Sequence, residues 1–151
     1  SMAITPLVVL ALGRLLPAPA VSHDGVESAS ELTNRALVIG FGRFGQVVSQ
    51  SLLARNVDVS IIDADVDMIR AAAKFGFKVY YGDGTRLDVL HASGAGRSEA
   101  IVVCVDDAAA ADRIVELVKH EFPLAKLYVR AFDRGHALRL IAARVDFQLR
   151  E

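Results

Sequence analysis

The chain contains a single cysteine, Cys104, which excludes both a disulfide framework and a cysteine-rich zinc module and fits a reducing compartment. Proline is scarce beyond the first twenty residues: Pro6, Pro17 and Pro19 lie there, and only Pro123 follows. Neither sign of charge dominates, with 17 basic and 18 acidic residues giving a net charge of −1. That balance argues against a nucleic-acid partner recruited by bulk charge. With 53% hydrophobic residues it also excludes intrinsic disorder. No apolar run reaches the about 20 residues that a membrane-crossing helix needs. The most apolar stretch, Ile4 to Leu12, is less than half that. The four histidines (His23, His91, His120 and His136) share no ligand spacing, so no metal site is indicated. His136 reads as a surface or packing residue, and Cys104, inside an apolar run, as a buried thiol.

What is present divides at about residue 35. Residues 1–17 form an apolar segment with one base, Arg14, and no acid. Three readings stand for it. Ala18-Pro19-Ala20 looks like a signal-peptidase site, but no basic region precedes the apolar run. A buried helix is weakened by Pro6 and Gly13. The third reading is the last half of a transmembrane helix begun outside this chain, with Arg14 at its cytoplasmic edge. Residues 18–34, rich in Pro, Ser and small polar residues, read as a linker.

Residues 35–151 alternate between strand and helix. Ala36 to Ile39 is a continuous apolar run, as expected of a strand buried on both faces. Further strands are predicted over Val59–Ile62, Lys78–Tyr81, Ala100–Val105 and Leu127–Ala131. Helices are predicted over Phe44–Leu53, Val66–Phe75 (closed by Gly76), Leu87–Ser93, Asp107 to about His120, and Gly135–Arg144. Short connections between such units imply an α/β fold, a Rossmann-like doubly wound parallel sheet.

Gly40-Phe41-Gly42-Arg43-Phe44-Gly45 is a G-x-G-x-x-G run that follows a buried strand and opens a helix, the context that gives the motif its meaning. The first glycine permits a sharp turn, the second lets a phosphate approach the backbone, and the third lets helix and strand pack closely. Asp63 ends the second strand 18 residues after Gly45. A carboxylate there accepts hydrogen bonds from ribose hydroxyls and repels a 2′-phosphate, which disfavours NADP. Asp83, Thr85, Asp106, Asp107 and Arg130 also fall at predicted carboxyl ends of strands, where ligands of open α/β sheets sit. For Asp83-Gly84-Thr85 a turn with a helix cap is an equal reading, and Arg130 either faces a ligand or pairs with Asp133. Catalytic machinery is missing: there is no G-x-S-x-G, no P-loop lysine, and no tyrosine with a lysine four residues on. The rival to a pure binding domain is the N-terminal NAD-binding fragment of a dehydrogenase.

The blocks RALVIGFGRFGQVV, IIDAD and KFGFKVYYGDGTRLDVLHASGA, followed by Asp106-Asp107, resemble in order and spacing the RCK (KTN, TrkA-N type) nucleotide-binding domain of Kef-type glutathione-regulated potassium/proton antiporters. The resemblance runs from about Arg35 to Glu151, and SMAITPL looks like the end of that family's last transmembrane helix. It implies a regulatory domain on the cytoplasmic face of the bacterial inner membrane, fused to the antiporter and binding AMP or NAD(H). Carried over by position, it implies that Gly40, Phe41, Gly42, Arg43, Phe44 and Gly45 hold phosphate, and that Asp63 and Asp65 hold the ribose. Asp83, Gly84, Thr85 and Asp106 line the adenosine side with Arg130 nearby, and Ala64, Met68, Gly82 and Val105 complete the set. Arg150 matches an arginine of the family's glutathione site. Gln50 departs from the family, replacing an arginine on the first helix, as does Gly84, which replaces the alanine of G-D-A-T and is expected to spare nucleotide binding. A homodimer is expected, pairing through the helix after Asp107, the edge of the fifth strand, and the last helix with Leu138, Leu140 and Ile141.

Overall fold

The computed structural model describes residues 25–150; the apolar segment 1–17 and the first part of the predicted linker lie outside the described residues. Among the described residues six strands alternate with five helices: β1 Ala36–Ile39, α1 Arg43–Ala54, β2 Val59–Asp63, α2 Val66–Lys74, β3 Tyr80–Tyr81, α3 Leu87–Ala92, β4 Ala100–Val103, α4 Ala108–Glu121, β5 Lys126–Ala131, α5 Arg134–Ala142 and β6 Phe147–Arg150. A 3-10 turn, Ala95–Arg97, precedes β4. All neighbouring strands are parallel, in the order β3-β2-β1-β4-β5-β6. This is the doubly wound order.

The period of two along each strand sends successive side chains to opposite faces. Leu37, Ile39, Ile101 and Val103 join one core with Ile114, Val115 and Val118 of α4 and Leu140 of α5. Val38, Ile61 and Cys104 join the other, with Ile69 and Ala72 of α2 and Phe44, Val48 and Leu52 of α1 against it. Three helices begin on aspartate caps, whose carboxylates accept first-turn N–H groups: Asp65 for α2, Asp107 for α4 and Asp133 for α5. Four alanines, the best helix formers, follow Asp107.

Three elements differ from the sequence expectation. β3 is only two residues long because it lies at the sheet's edge, where Lys78 pairs with Glu27 in solvent rather than joining the ladder. β4 stops at Val103, since the chain crosses under Gly40 at Cys104–Val105. β6 was not expected at all. It follows the left-handed residue Arg144 (φ +59°) and pairs Phe147–Arg150 with Tyr128–Ala131. The fifth strand therefore has neighbours on both sides and offers no edge for pairing; β6 holds that position. Upstream, residues 27–29 lie along β3: the Tyr81 N–H donates to the Glu27 carbonyl at 2.7 Å, and the Ala29 N–H to the Tyr81 carbonyl at 3.0 Å. Buried Asn34 donates to the Ser93 carbonyl at 2.8 Å and fixes this segment to the end of α3.

Candidate functional site

In an open parallel sheet, the crevice forms where chain connections leave adjacent strands in opposite directions. Here that is between β1, whose helix crosses towards β2, and β4, whose helix crosses towards β5. The glycine run stands at this point. Gly40 has φ +100°, a left-handed conformation open chiefly to glycine, and donates its N–H to the Ile62 carbonyl at 2.9 Å. A Cβ on Gly45 would lie 2.0 Å from the Gly40 carbonyl oxygen, so α1 packs on the turn only because that atom is missing. Gly42 caps α1 without a side chain, and the first intrahelical bond is the Gln46 N–H to the Gly42 carbonyl at 2.9 Å. The N–H groups of Arg43, Phe44 and Gly45 precede that bond and have no acceptor within the helix. They form a cradle suited to an anion, favoured further by the helix dipole.

Asp63 closes the other side of this turn. Its Oδ2 accepts the Phe41 N–H at 2.7 Å and its Oδ1 accepts the Asp65 N–H at 2.8 Å. Burial raises the Asp63 carboxyl above its ordinary value. The two N–H donors pull it back down, while the nearby charges of Asp65 and Asp106 push it up again. A carboxylate has about four acceptor positions, so the two that Asp63 still has can take ribose hydroxyls. Asp65 is committed to capping α2, accepting from Asp67 and from Met68, and Ala64 joins the two aspartates.

Asp83 is buried, and its Oδ1 accepts both the Thr85 N–H at 2.9 Å and the Thr85 hydroxyl at 2.7 Å. These bonds make the turn expected of this segment, but not the helix cap expected with it: the N-cap of α3 is Arg86, with no side-chain cap. Asp83 Oδ2 is also buried and has no hydrogen-bond partner among the described residues. Such an acceptor is costly unless a donor arrives. Gly82 and Gly84 flank it in tight packing, where a Cβ would lie 2.9 Å from Val89 Cγ1 and 2.6 Å from Ile39 Cγ2 respectively.

Arg130, at the end of β5, donates through Nη1 to Asp106 Oδ1 at 2.6 Å. It does not pair with Asp133, which instead caps α5 through the His136 N–H at 2.7 Å. The guanidinium stands over Phe132 (4.9 Å) and Phe44 (5.9 Å). Phe132 carried no sequence expectation; an aromatic two residues past a strand-end arginine was the only signal for it. The other oxygen of Asp106 lies 3.0 Å from where a Gly42 Cβ would be, so this carboxylate stands over the glycine turn. That puts it beside the N–H cradle of α1.

The structure thus brings together the glycine turn, Asp63, Asp106 and Arg130. Val105 lies against the turn, its backbone nitrogen 2.8 Å from the Cβ position of Gly40. Arg150 ends β6, exposed at the outer edge of the sheet and beyond β5. Cys104 is buried, and desolvation pushes its thiol up to about 12, which leaves it inert. His136 is buried rather than on the surface: Nδ1 accepts the Phe132 N–H at 3.2 Å, which leaves Nε2 to donate to Asp112 at 2.9 Å. A 520 Å³ groove between α4 and α5, lined by Asp112, Lys119 and Arg139 among others, includes no glycine-turn residue.

This geometry agrees with what the chain is similar to. Over its whole length it is 40% identical to the glutathione-regulated potassium-efflux system protein of Haemophilus influenzae, covering 25% of that protein. It is 37% identical to the efflux protein KefC of Escherichia coli, covering 24% of it. The chain therefore spans about a quarter of the length of these relatives. The solved Kef CTD of Shewanella denitrificans in AMP-bound form is 36% identical, with a TM-score of 0.68 over 77% of this chain and 70% of that one. Residues 36–149 match the model of the TrkA-N domain, and the chain belongs to that family.

Proposed function

We propose that this chain is the nucleotide-sensing domain of a potassium efflux system, binding AMP or NAD(H) and passing its occupancy to a membrane antiporter domain of the same polypeptide on the cytoplasmic face. The observation that carries the reading is the glycine turn at the β1–β4 crevice, with Asp63 bonded across it to Phe41. The residues fit an adenine nucleotide. The α1 N-terminus would take the phosphate, the open acceptor positions of Asp63 the ribose, and Asp83 Oδ2 supplies a buried acceptor awaiting a donor. The AMP-bound relative supports AMP as the first ligand to test. The domain binds without doing chemistry on this reading. Residues that differ in geometry between ligand states would convert binding into gating, because a ligand shifts only equilibria between states it binds differently. Glutathione responsiveness is part of the proposal through Arg150 and through the relatives named as glutathione-regulated.

A two-fold homodimer is part of the proposal. Leu140, one of the three apolar residues expected at the interface, is buried in the core, whereas Leu138 and Ile141 of α5 are exposed. Phe147 and Leu149 of the edge strand β6 are exposed as well. These four are the apolar surface we assign to pairing.

Calorimetric titration with AMP, NADH and NADPH tests the site. AMP and NADH bind and NADPH binds much more weakly; equal affinity for NADPH and NADH refutes the role of Asp63. Gly42→Val places a side chain against Asp106 and into the cradle, abolishing binding while thermal unfolding stays near that of the parent. In the full-length protein the same variant uncouples potassium efflux from nucleotide. A folded Gly42→Val protein with normal affinity shows that phosphate binds elsewhere.

A further inference from the structure

Granted the adenine-nucleotide site proposed above, we infer that Asp106 is a resident competitor for the nucleotide's phosphates, held over the glycine turn by Arg130, and that it makes the site select a monophosphate over more highly charged nucleotides. Four observations meet here. Asp106 Oδ2 lies 3.0 Å from the Cβ position of Gly42, the residue that caps α1 and faces the phosphate cradle. Asp106 Oδ1 accepts from Arg130 Nη1 at 2.6 Å, so a charge-assisted bond orients the carboxylate over the turn. The arginine side chain is 18% exposed and stacks on Phe44 and Phe132, whereas that of Asp106 is 74% exposed. The arginine is thus the fixed member of the pair and the aspartate the one free to swing into solvent. Finally, Asp106 lies close enough to Asp63 for its charge to help raise the Asp63 carboxyl, the smallest of the causes acting on it.

The physical consequence follows from what an anion meets on entry. A helix N-terminus attracts negative charge, and here a carboxylate of the chain already stands beside it. A nucleotide phosphate must take over both the N–H groups and Arg130, displacing Asp106 towards water. Once displaced, Asp106 remains within reach of any second phosphate, and its repulsion grows with each charge the ligand adds. Asp63 and Asp106 together set two carboxylates against the Arg130 guanidinium, and Asp106 adds a repulsion for each further charge a ligand brings.

The test measures dissociation constants of adenosine, AMP, ADP and ATP for the intact chain and for Asp106→Asn, with Asp106→Ser as a second variant. For the parent we expect AMP to bind more tightly than ADP, and ADP more tightly than ATP. Removing the charge tightens binding by about fivefold for each phosphate charge, the scale of one unit-charge contact in a water-like medium. Adenosine binds parent and variants alike. Gains that do not increase with phosphate number, or a loss for all four ligands as expected of a ribose-holding residue, overturn the inference and leave the nucleotide site standing. A parent that binds none of the four overturns the site itself.

Discussion

Restoring an alanine at position 84 tests whether the turn beneath Asp83 is set by packing. Gly84 lies outside the left-handed region of φ, so alanine is conformationally permitted there and stiffens the unfolded chain, a gain of about 0.4–1 kcal/mol. Against that stands the new methyl group, which would lie 2.6 Å from Ile39 Cγ2 and 3.3 Å from Ile114 Cδ1. The Ile114 atom is the far end of a flexible side chain and can yield. Ile39 Cγ2 cannot: it branches from Cβ in the central strand, the residue is 2% exposed, and β-branched rotamers are stiff. Overpacking of this kind costs about 1–3 kcal/mol. The net effect of Gly84→Ala is a destabilisation of about 1–2 kcal/mol, or a Tm lowered by about 3–8 °C in a domain of this size.

Urea and thermal unfolding of four proteins in a double-mutant cycle isolate the cause: parent, Gly84→Ala, Ile39→Leu and the double variant. Ile39→Leu conserves volume but removes the branch at Cβ, and with it the atom that the alanine meets. In that background Gly84→Ala costs little or stabilises. Nucleotide affinity follows stability, because the same displacement moves Asp83. A Gly84→Ala protein at least as stable as the parent, or one equally destabilised in both backgrounds, refutes the clash. The expectation from family resemblance, that exchange of glycine and alanine here is a small matter, holds only if Ile39 can move.

Two further measurements address charge and assembly. Asp63 must be ionised to accept both backbone N–H groups and ribose hydroxyls, and burial raises its carboxyl above the ordinary value. Affinity for NAD, whose pyrophosphate keeps its charge in this range, is therefore complete above the folded pKa and falls as pH drops through it, starting at higher pH than for a surface aspartate. Proton release on binding in calorimetry checks this, and affinity flat across the carboxylate range refutes it. For assembly, light scattering of the purified chain finds a dimer that Leu138→Asp with Leu149→Asp converts to monomer; a parent that is monomeric at high micromolar concentration refutes self-sufficient pairing.

Much of the fold was legible because most of its strands are apolar runs ended by glycine or aspartate, and three of its helices begin on aspartates. Ala36–Ile39 is the clearest case: all four residues are buried, as a central parallel strand requires. The signal weakened towards the sheet's edges. β6 alternates Phe147 and Leu149 with Gln148 and Arg150, but a four-residue edge strand with exposed apolar positions looks like a chain tail until its partner is known. At the opposite edge, Lys78 and Val79 carry strand-like residues, yet only Tyr80 and Tyr81 find ladder partners on β2. Propensity describes a residue's fit to a pleated surface, and edges supply only half of one.

The site divides along the same line between local and non-local causes. The roles of Gly40, Gly45 and the Asp65 cap follow from a turn and a helix start within a few residues, and all were open to sequence reasoning. The partner of Arg130 was not. Asp133, three residues on, is the acid nearest in sequence, but it caps α5 through the His136 N–H. Asp106, which Arg130 bonds, comes from the chain that leaves the neighbouring strand β4. Val103 stands opposite Val129 in the parallel register, so the chain leaving β4 passes Arg130 just as β5 ends, and Asp106 arrives beside it. The information needed was therefore strand order, not residue type. The crossover from β4 through α4 returns the chain to β5 directly beside β4, parallel to it. Once they are neighbours, an acid shortly after one strand and a base at the end of the other come within reach at the carboxyl edge of the sheet, where Asp106 and Arg130 bond.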